Sequence, residues 1–284
     1  MPAPRKHHYL PEWYLSRWRR KFNDQEVIWE FARVGPKKKL NARYRHPAAT
    51  GYAKDLYTLP NRSPDDAAQI ETELLQVIDD RGAKAVLMAE RNEVAGPSDK
   101  FGLVQFMLSM MHRSPERIDY LEKRLTEDLA DNPLFAEEDS TVFRAGALDV
   151  FVDLVQSRQM LERMMQLSTF VINLGEGAFD LLTGDSPLMI SNGMAHKDAF
   201  VILPTGPRTL VMLAENEALP KHMASHSGKV LSKAMNDAVT VQAKKLVIGA
   251  DRSQERFVDN RLNRSNTSLA KAIDPVTGLV KWKI

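Results

Sequence analysis

The sequence predicts an α+β fold in which a central helical bundle packs on a mainly antiparallel sheet, with an N-terminal arm of helix and strand. Two patterns carry this prediction. Apolar residues recur at three- and four-residue steps between residues 64 and 167, which is the spacing of helices with one buried face. After Ser168 the apolar runs become short and are broken by glycine and proline, which is typical of antiparallel strands.

The N-terminal arm contains one helix and one strand. Pro11 precedes a segment in which Trp13, Tyr14 and either Arg17 or Trp18 lie about one turn apart, and this spacing favours a short amphipathic helix. The segment "EVIWEFARV", residues 26–34, alternates with β-branched and aromatic types and predicts a strand. We expect the lysine run 37–39 that follows to be a loop.

Four helices are predicted for the bundle. They cover residues 64–90, the run "FGLVQFMLSMMHR" from Phe101, a segment from a Ser114 cap and Pro115 to about Asn132, and residues 140–167. The second of these is apolar on most of its circumference, which places it at the centre. Gly82 is expected to mark a bend in the first helix.

The C-terminal part is predicted to be mainly sheet. The segments "TFVINL", "AFDLLTG", "AFVILP" and "RTLVML" indicate strands, "HMASHSGKVLSKAMNDAVTVQAKK" returns to helical spacing, and "LVIGA" indicates a last strand. We expect a single α+β domain over residues 1–262. Residues 263–284 then form a C-terminal arm or a small hairpin.

Composition excludes several classes of chemistry. The sequence has no cysteine, which excludes disulfides, thiolate catalysis and sulfur-ligated metals, so a metal would need His, Asp and Glu ligands. It has no apolar run of about eighteen residues and no secretion signal at its start, so we expect a cytoplasmic protein without a membrane partner. The sequence leaves cofactors, metal dependence and oligomeric state open.

Charge is distributed unevenly. The net charge is +2 overall, but residues 1–46 contain twelve Lys or Arg and only four acidic residues. Clustered cations attract polyanions, so this segment predicts nucleic acid or another phosphate-bearing ligand as partner. The alternative is a solvated basic surface that acidic helices balance elsewhere.

Four polar residues are candidates for catalysis: His8, Arg113, Asp185 and Asn236. A neutral His8 would suit a general base or a metal ligand, Asp185 would orient it or share a metal, and Arg113 would stabilise developing negative charge. Each also has a structural interpretation. His8 or His7 would hold the N-terminus against the core, and Asp185 would accept hydrogen bonds within a turn. Arg113 would form an ion pair with Asp185, and Asn236 would hold a loop through hydrogen bonds.

Other residues of the same segments are candidates for substrate binding. They are His7, Tyr9, Tyr14 and Arg17 in the basic, aromatic N-terminal segment. On the first long helix, Glu71 and Asp79 lie eight residues apart, so both could face one cavity, although exposed acids are the alternative.

Several short motifs occur together in this sequence. They are Lys6-x-His8-Tyr9-Leu10-Pro11, Tyr14-Leu15-x-x-Trp18, "KDLYTL", "IETELLQVIDDRGAKAVL", "MHRSPER", "LLTGDSPL", "FVILPTGPRTLVML" and "MNDAVTVQAKKLVIGAD". Over nearly its whole length the chain thereby resembles a bacterial family, domain-of-unknown-function family 4238. The family pattern falls on His8, Tyr9, Pro11, Tyr14, Arg113, Asp185, Pro187, Pro204 and Asn236. One departure is Gly184, where the family usually has serine.

The resemblance implies site residues but no mechanism. The function we expect from the sequence is that of a hydrolase or nuclease acting on a phosphate-containing substrate or nucleic acid. The alternative is a non-catalytic protein that binds nucleic acid or a protein partner, in which the same residues form a buried structural polar network.

Overall fold

The computed structural model describes residues 5–93, 96–135, 139–191 and 193–263. The fold is α+β, with 48% helix and 21% strand. The strands are β1 Lys6–His8, β2 Arg20–Phe22, β3 Gln25–Val34, β4 Lys39–Arg45, β5 Tyr52–Lys54, β6 Ser168–Asn173, β7 Thr183–Gly184, β8 Met189–Ile190, β9 Phe200–Gly206, β10 Thr209–Ala214 and β11 Leu246–Gly249. The α-helices are α1 Glu12–Leu15, α2 Pro64–Ala67, α3 Gln76–Glu90, α4 Pro97–His112, α5 Pro115–Leu129, α6 Ser140–Val155, α7 Arg158–Gln166, α8 Ala218–Ala224, α9 Gly228–Gln242 and α10 Glu255–Asp259.

A four-stranded antiparallel sheet, in the order β6-β10-β9-β8, has a layer of helices on each face. Val201 and Leu203 on β9 belong to the core that includes α3, α4, α6 and α7. Phe200 and Ile202 belong to a second core with α8 and α9. Because both faces are covered, every residue of β9 is buried, and the strand therefore appears in the sequence as a continuous apolar run.

The two ends of the described chain meet in a second sheet. Its order is β2-β3-β11-β7, and β4 pairs with the other side of β3. A third, two-stranded sheet joins β1 to β5. The sequence predicted one mainly antiparallel sheet after Ser168, but β11 pairs with the N-terminal strand β3. Long-range pairing of this kind leaves no local signal in the sequence.

Several element boundaries differ from prediction. The helix expected over 140–167 is two helices, because Ser157 caps α7 through the amide of Met160. The lysine run is a loop only up to Lys38, since Lys39 begins β4. Only the last two residues of "AFDLLTG" form a strand. The N-terminal helix ends in a 3-10 turn at Ser16–Trp18 and is followed by β2.

Gly82 lies inside a helix that continues through it. A Cβ atom at this position would be 2.6 Å from the Cβ of Phe106, so the glycine allows α3 and α4 to approach closely. Gly82 therefore marks a close packing contact between α3 and α4, and not the bend that the sequence predicted. Before α3, residues Ile70–Leu75 form a π-helix.

The described helices do not include one with the length and apolar character needed to cross a bilayer. The extent of the single domain stays a prediction. Of the proposed C-terminal arm or hairpin, residues 264–284 lie outside the described residues.

Candidate functional site

Three consecutive residues of the N-terminal segment enter three different environments. The ring of His7 is buried and stacks on Tyr57, with 5.7 Å between ring centroids, and its Nδ1 accepts a hydrogen bond of 2.9 Å from the Tyr57 amide. His8 faces a polar cluster, and Tyr9 lines a cavity. The strand β1 thus ties the N-terminus to the core through His7, as the structural interpretation of this residue predicted.

His8 is half-buried, and its Nε2 is a buried atom with no hydrogen-bond partner in the described part of the chain. Burial lowers the pKa of His8, while a bond to Ala48 and the charge of Glu12 oppose the shift. The ring also meets Tyr52 edge-on at 5.5 Å. Burial thus disfavours the charged form of the imidazole, which packs against the Tyr52 ring.

Arg113 joins this cluster from the end of α4. Its guanidinium is buried and forms a bidentate ion pair with Asp79, with Nη1–Oδ1 and Nη2–Oδ2 distances of 2.6 and 3.0 Å. Nη2 also donates to the backbone oxygen of His8 at 2.8 Å. Arg113 thus fixes β1 to the helical bundle, and its partner is Asp79 rather than Asp185.

Glu71 lies in the π-helix and interacts electrostatically with Arg113 and Asp79. Burial raises the pKa of Glu71 to about 7, although Arg113 opposes the shift. Glu71 and Asp79 thus share Arg113 as a neighbour, whereas the sequence interpretation placed them at one cavity or, alternatively, at exposed positions. Glu71 and Asp79 lie with Arg113 in a packed polar cluster.

Asp185 follows β7 and is buried. Its carboxylate accepts hydrogen bonds from the backbone amides of Lys244, Lys245 and Leu246 at 2.8, 2.5 and 3.0 Å. Burial raises the pKa of Asp185, and these three bonds oppose the shift. The carboxylate therefore holds the turn between α9 and β11, and none of its hydrogen bonds goes to His8, Arg113 or Asn236.

Asn236 is buried on α9 with its side-chain amide fully engaged. Oδ1 accepts from the Leu182 amide at 2.8 Å, and Nδ2 donates at 2.8 Å each to the Asp180 backbone oxygen and to Gln254 Oε1. These bonds satisfy the backbone of an irregular segment before β7. Asn236 accordingly holds the loop before β7 through hydrogen bonds, which is one of the two roles that its position in the sequence indicated.

Tyr14 and Arg17 hold the start of the chain to the central sheet. The Tyr14 hydroxyl donates to the Pro204 backbone oxygen at 2.7 Å and lies 2.7 Å from Thr183 Oγ1. Arg17 donates to the Thr205 backbone oxygen and pairs with Glu90 at 2.5 Å. Tyr14 is fully buried, so its hydroxyl is occupied by these contacts.

A cavity of about 990 Å³ lies between the β3–β4 hairpin, the loop before β5 and the α9–β11 turn. We call it the basic cavity. Its charged lining consists of five cations and one carboxylate, namely Arg33, Lys38, Arg43, Lys244, Lys245 and Glu30. Its other polar lining includes Tyr9, Thr50 and Tyr52.

Two of the five cations have no acidic partner in the part of the chain that the structure describes. Arg33 pairs with Asp259 at 3.0 Å, Arg43 with Glu30 at 2.5 Å, and Lys245 with Glu116 at 2.7 Å. Lys38 and Lys244, by contrast, form no ion pair with any described residue. The basic cavity therefore presents uncompensated positive charge, which favours an anionic ligand.

Tyr9 lines this cavity. Burial and the nearby charges of Asp185, Glu116 and Glu30 raise the pKa of Tyr9, so the hydroxyl keeps its proton and can donate a hydrogen bond. Glu30 is engaged by Arg43 and by the Thr50 hydroxyl. The N-terminal segment therefore lies near Asp185, and the residue that lies there is Tyr9 rather than His8.

The predicted site residues therefore lie in several separate places. His8 and Arg113 meet in the polar cluster with Glu71 and Asp79, whereas Tyr9 lies in the basic cavity. Tyr52 lines that cavity with its ring against His8, so it forms a wall between the two. In the described residues no three His, Asp or Glu side chains lie close enough together to hold a metal ion. The assignment of His8, Arg113, Asp185 and Asn236 to catalysis stays a prediction.

A family comparison accounts for almost the whole described chain. Residues 6–253 match the family described as "Protein of unknown function (DUF4238)". The chain belongs to the DUF4238 family. No curated protein and no solved structure is significantly similar to it.

Sequence reasoning missed most of the cavity in this DUF4238 chain. Lys244 and Lys245 stand directly before the last strand, and Arg43 and Glu30 are cross-strand partners on β4 and β3. The excess of cations before residue 46 was the feature of the sequence that could have indicated a basic cavity. It did not identify β4, in which four polar residues alternate with Leu40, Ala42 and Tyr44.

Proposed function

We propose that the chain binds a phosphate-bearing ligand in the basic cavity. The observation that carries this proposal is the pair of cations, Lys38 and Lys244, that border the cavity without an acidic partner among the described residues. A phosphate group would supply that partner, since ammonium groups bind phosphate oxygens through charge-assisted hydrogen bonds.

Neighbouring groups would complete such a site. The protonated Tyr9 hydroxyl can donate to a phosphate oxygen from the cavity wall. Asp185 would act indirectly, because it holds the backbone of the turn that carries Lys244 and Lys245. In this proposal Asp185, Arg113 and Asn236 position the site and do not touch the ligand.

Isothermal titration with inorganic pyrophosphate tests the binding. We expect the double variant Lys38→Gln/Lys244→Gln to weaken the affinity about tenfold for each charge removed. The matched control is Lys229→Gln/Lys233→Gln, which removes the same charge from exposed positions on α9. Equal affinities for the two double variants would refute the proposal.

Hydrolysis of a bound phosphoester, which the sequence suggested, is a separate prediction. His8 is not part of the cavity lining, since Tyr52 stands between them. A cleavage assay with RNA, DNA and nucleotides, run on the wild type and on His8→Ala, decides the matter. Turnover that disappears in His8→Ala while pyrophosphate binding is retained would add catalysis to the proposed binding function.

A further inference from the structure

Three aromatic side chains, two of them exposed, form a cluster on strands β2, β3 and β4. Phe22 lies 5.6 Å from Trp29 and 5.2 Å from Tyr44, and Trp29 lies 6.1 Å from Tyr44, measured between ring centroids. Phe22 is 38% exposed and Tyr44 is 46% exposed. We call these three residues the aromatic platform.

The strand register produces the platform. Trp29 and Tyr44 are direct cross-strand partners and therefore share one face of the sheet. β2 pairs with the first residues of β3, which brings Phe22 alongside both rings. Tyr120 and Phe179 are also exposed, whereas Tyr14, Trp18 and Tyr57 are fully buried. An exposed aromatic cluster in such a chain indicates a binding surface.

Cations lie next to the platform and on the opposite face of its strands. The Arg252 guanidinium lies 5.8 Å from the centroid of the Trp29 ring. Arg20 lies on the platform face of β2 and pairs with Asp180 and Asp251, whereas Lys39, Arg43 and Arg45 lie on the cavity face of β4. Lys21, beside Phe22, pairs with Asp24, and its side chain is 74% exposed. This combination of aromatic faces and cations is the one that single-stranded nucleic acid requires, because bases stack on the rings and phosphates meet the cations.

The platform and the basic cavity adjoin along β4. Arg43 lines the cavity, and Tyr44, the next residue, belongs to the platform, so the two lie on opposite faces of one strand. Within the described ranges β4 pairs with β3 alone, which leaves its other edge open. A flexible strand of nucleic acid can pass around this edge from one face to the other.

We infer that the ligand is a single-stranded nucleic acid whose phosphates enter the basic cavity and whose bases stack on Phe22 and Tyr44. The inference rests on the proposed function for its phosphate contacts and adds the class of ligand. Duplexes bind less well, because their bases are already stacked on one another and cannot reach the rings.

Fluorescence anisotropy with labelled oligothymidylate and oligouridylate tests the inference on the full chain. We expect Phe22→Ala/Tyr44→Ala to weaken single-strand binding about tenfold for each ring removed, with pyrophosphate affinity unchanged. The matched control is Tyr120→Ala/Phe179→Ala, since both of those rings are exposed, and Arg117 lies over Tyr120 as Arg252 lies over Trp29. Tyr44→Phe keeps the ring and is expected to bind as the wild type does.

The outcomes separate the two proposals. If the Phe22/Tyr44 variant binds single strands like the wild type, or if a duplex binds as tightly as a single strand, the inference fails while the cavity proposal stands. If Lys38→Gln/Lys244→Gln leaves pyrophosphate binding unchanged, the cavity proposal itself fails. Binding of single strands only after deletion of residues 264–284 would indicate that the chain covers its own platform, and would overturn the inference.

Discussion

The carboxylate of Asp185 accepts a hydrogen bond of 2.8 Å from the backbone amide of Lys244, 59 residues later in the sequence. The amides of Lys245 and Leu246 bind the same carboxylate. A single buried side chain therefore replaces water for three successive amides in the turn that borders the basic cavity. This relationship links fold stability to the proposed ligand site.

Asp185→Ala is expected to destabilise the protein by about 3 kcal/mol, because it leaves three amides without their acceptor. It is also expected to weaken pyrophosphate binding, since the turn that carries Lys244 loses its anchor. Urea unfolding and calorimetry measure the two effects. Asp24→Asn is the control, because the Asp24 side chain is 94% exposed. An Asp185 variant with wild-type stability would show that water satisfies the turn equally well.

Asp79→Ala is expected to lower the free energy of unfolding by about 3–5 kcal/mol. Arg113 is buried, so removal of its carboxylate partner leaves an uncompensated charge in the interior. Denaturant unfolding of this variant and of Asp80→Ala, the exposed neighbour on the same helix, measures the difference. Similar losses in both variants would mean that the His8 backbone contact of Arg113 is sufficient without the ion pair.

Local patterns were sufficient to predict α4, α5, β3, β9 and β10, whereas the helical segment predicted from His222 is divided between α8 and α9, because Ser227 caps the start of α9. In each of the correctly predicted elements the apolar spacing or a cap residue is sufficient to predict the secondary structure. Asn236 was likewise recognised as a residue that needs partners. Its bonds to the backbone of Leu182 and Asp180 could not be predicted, because they depend on how distant segments meet.

The candidate site was harder to predict than the fold. A charged residue at the surface and a charged residue in an ion pair look alike in a sequence. Arg113 and Asp185 were each singled out correctly as unusual, yet their partners are Asp79 and a row of backbone amides. The cavity cation Lys244 had no distinguishing pattern, since its importance comes from the turn that Asp185 holds.

Gly184→Ala is expected to destabilise the protein by about 1–3 kcal/mol through crowding. A Cβ atom at this position would lie 2.7 Å from the backbone oxygen of Leu246 on the paired strand β11. Gly175→Ala is the control, because a Cβ there meets no atom within 4 Å. A neutral Gly184→Ala would show that β11 can move outward, as a serine at this position would also require.

Glu71 is expected to make stability depend on pH. Burial raises its pKa to about 7 in the folded protein, whereas the ordinary pKa of the side chain is 4.5. The folded state therefore holds this proton more firmly than the unfolded state, and stability is lost as the pH rises from about 4.5 to 7. The loss amounts to at most about 3 kcal/mol, since one pKa unit corresponds to about 1.4 kcal/mol.

Glu71→Gln removes this titration, so its stability relative to the wild type is expected to increase between pH 4.5 and pH 8. Urea unfolding of both proteins across that pH range measures the difference, in which the other titrating groups cancel. Glu73→Gln, at an exposed position of the same π-helix, is the control and is expected to show a flat difference. A flat difference for Glu71→Gln as well would mean that Arg113 keeps the Glu71 carboxylate ionised at every pH.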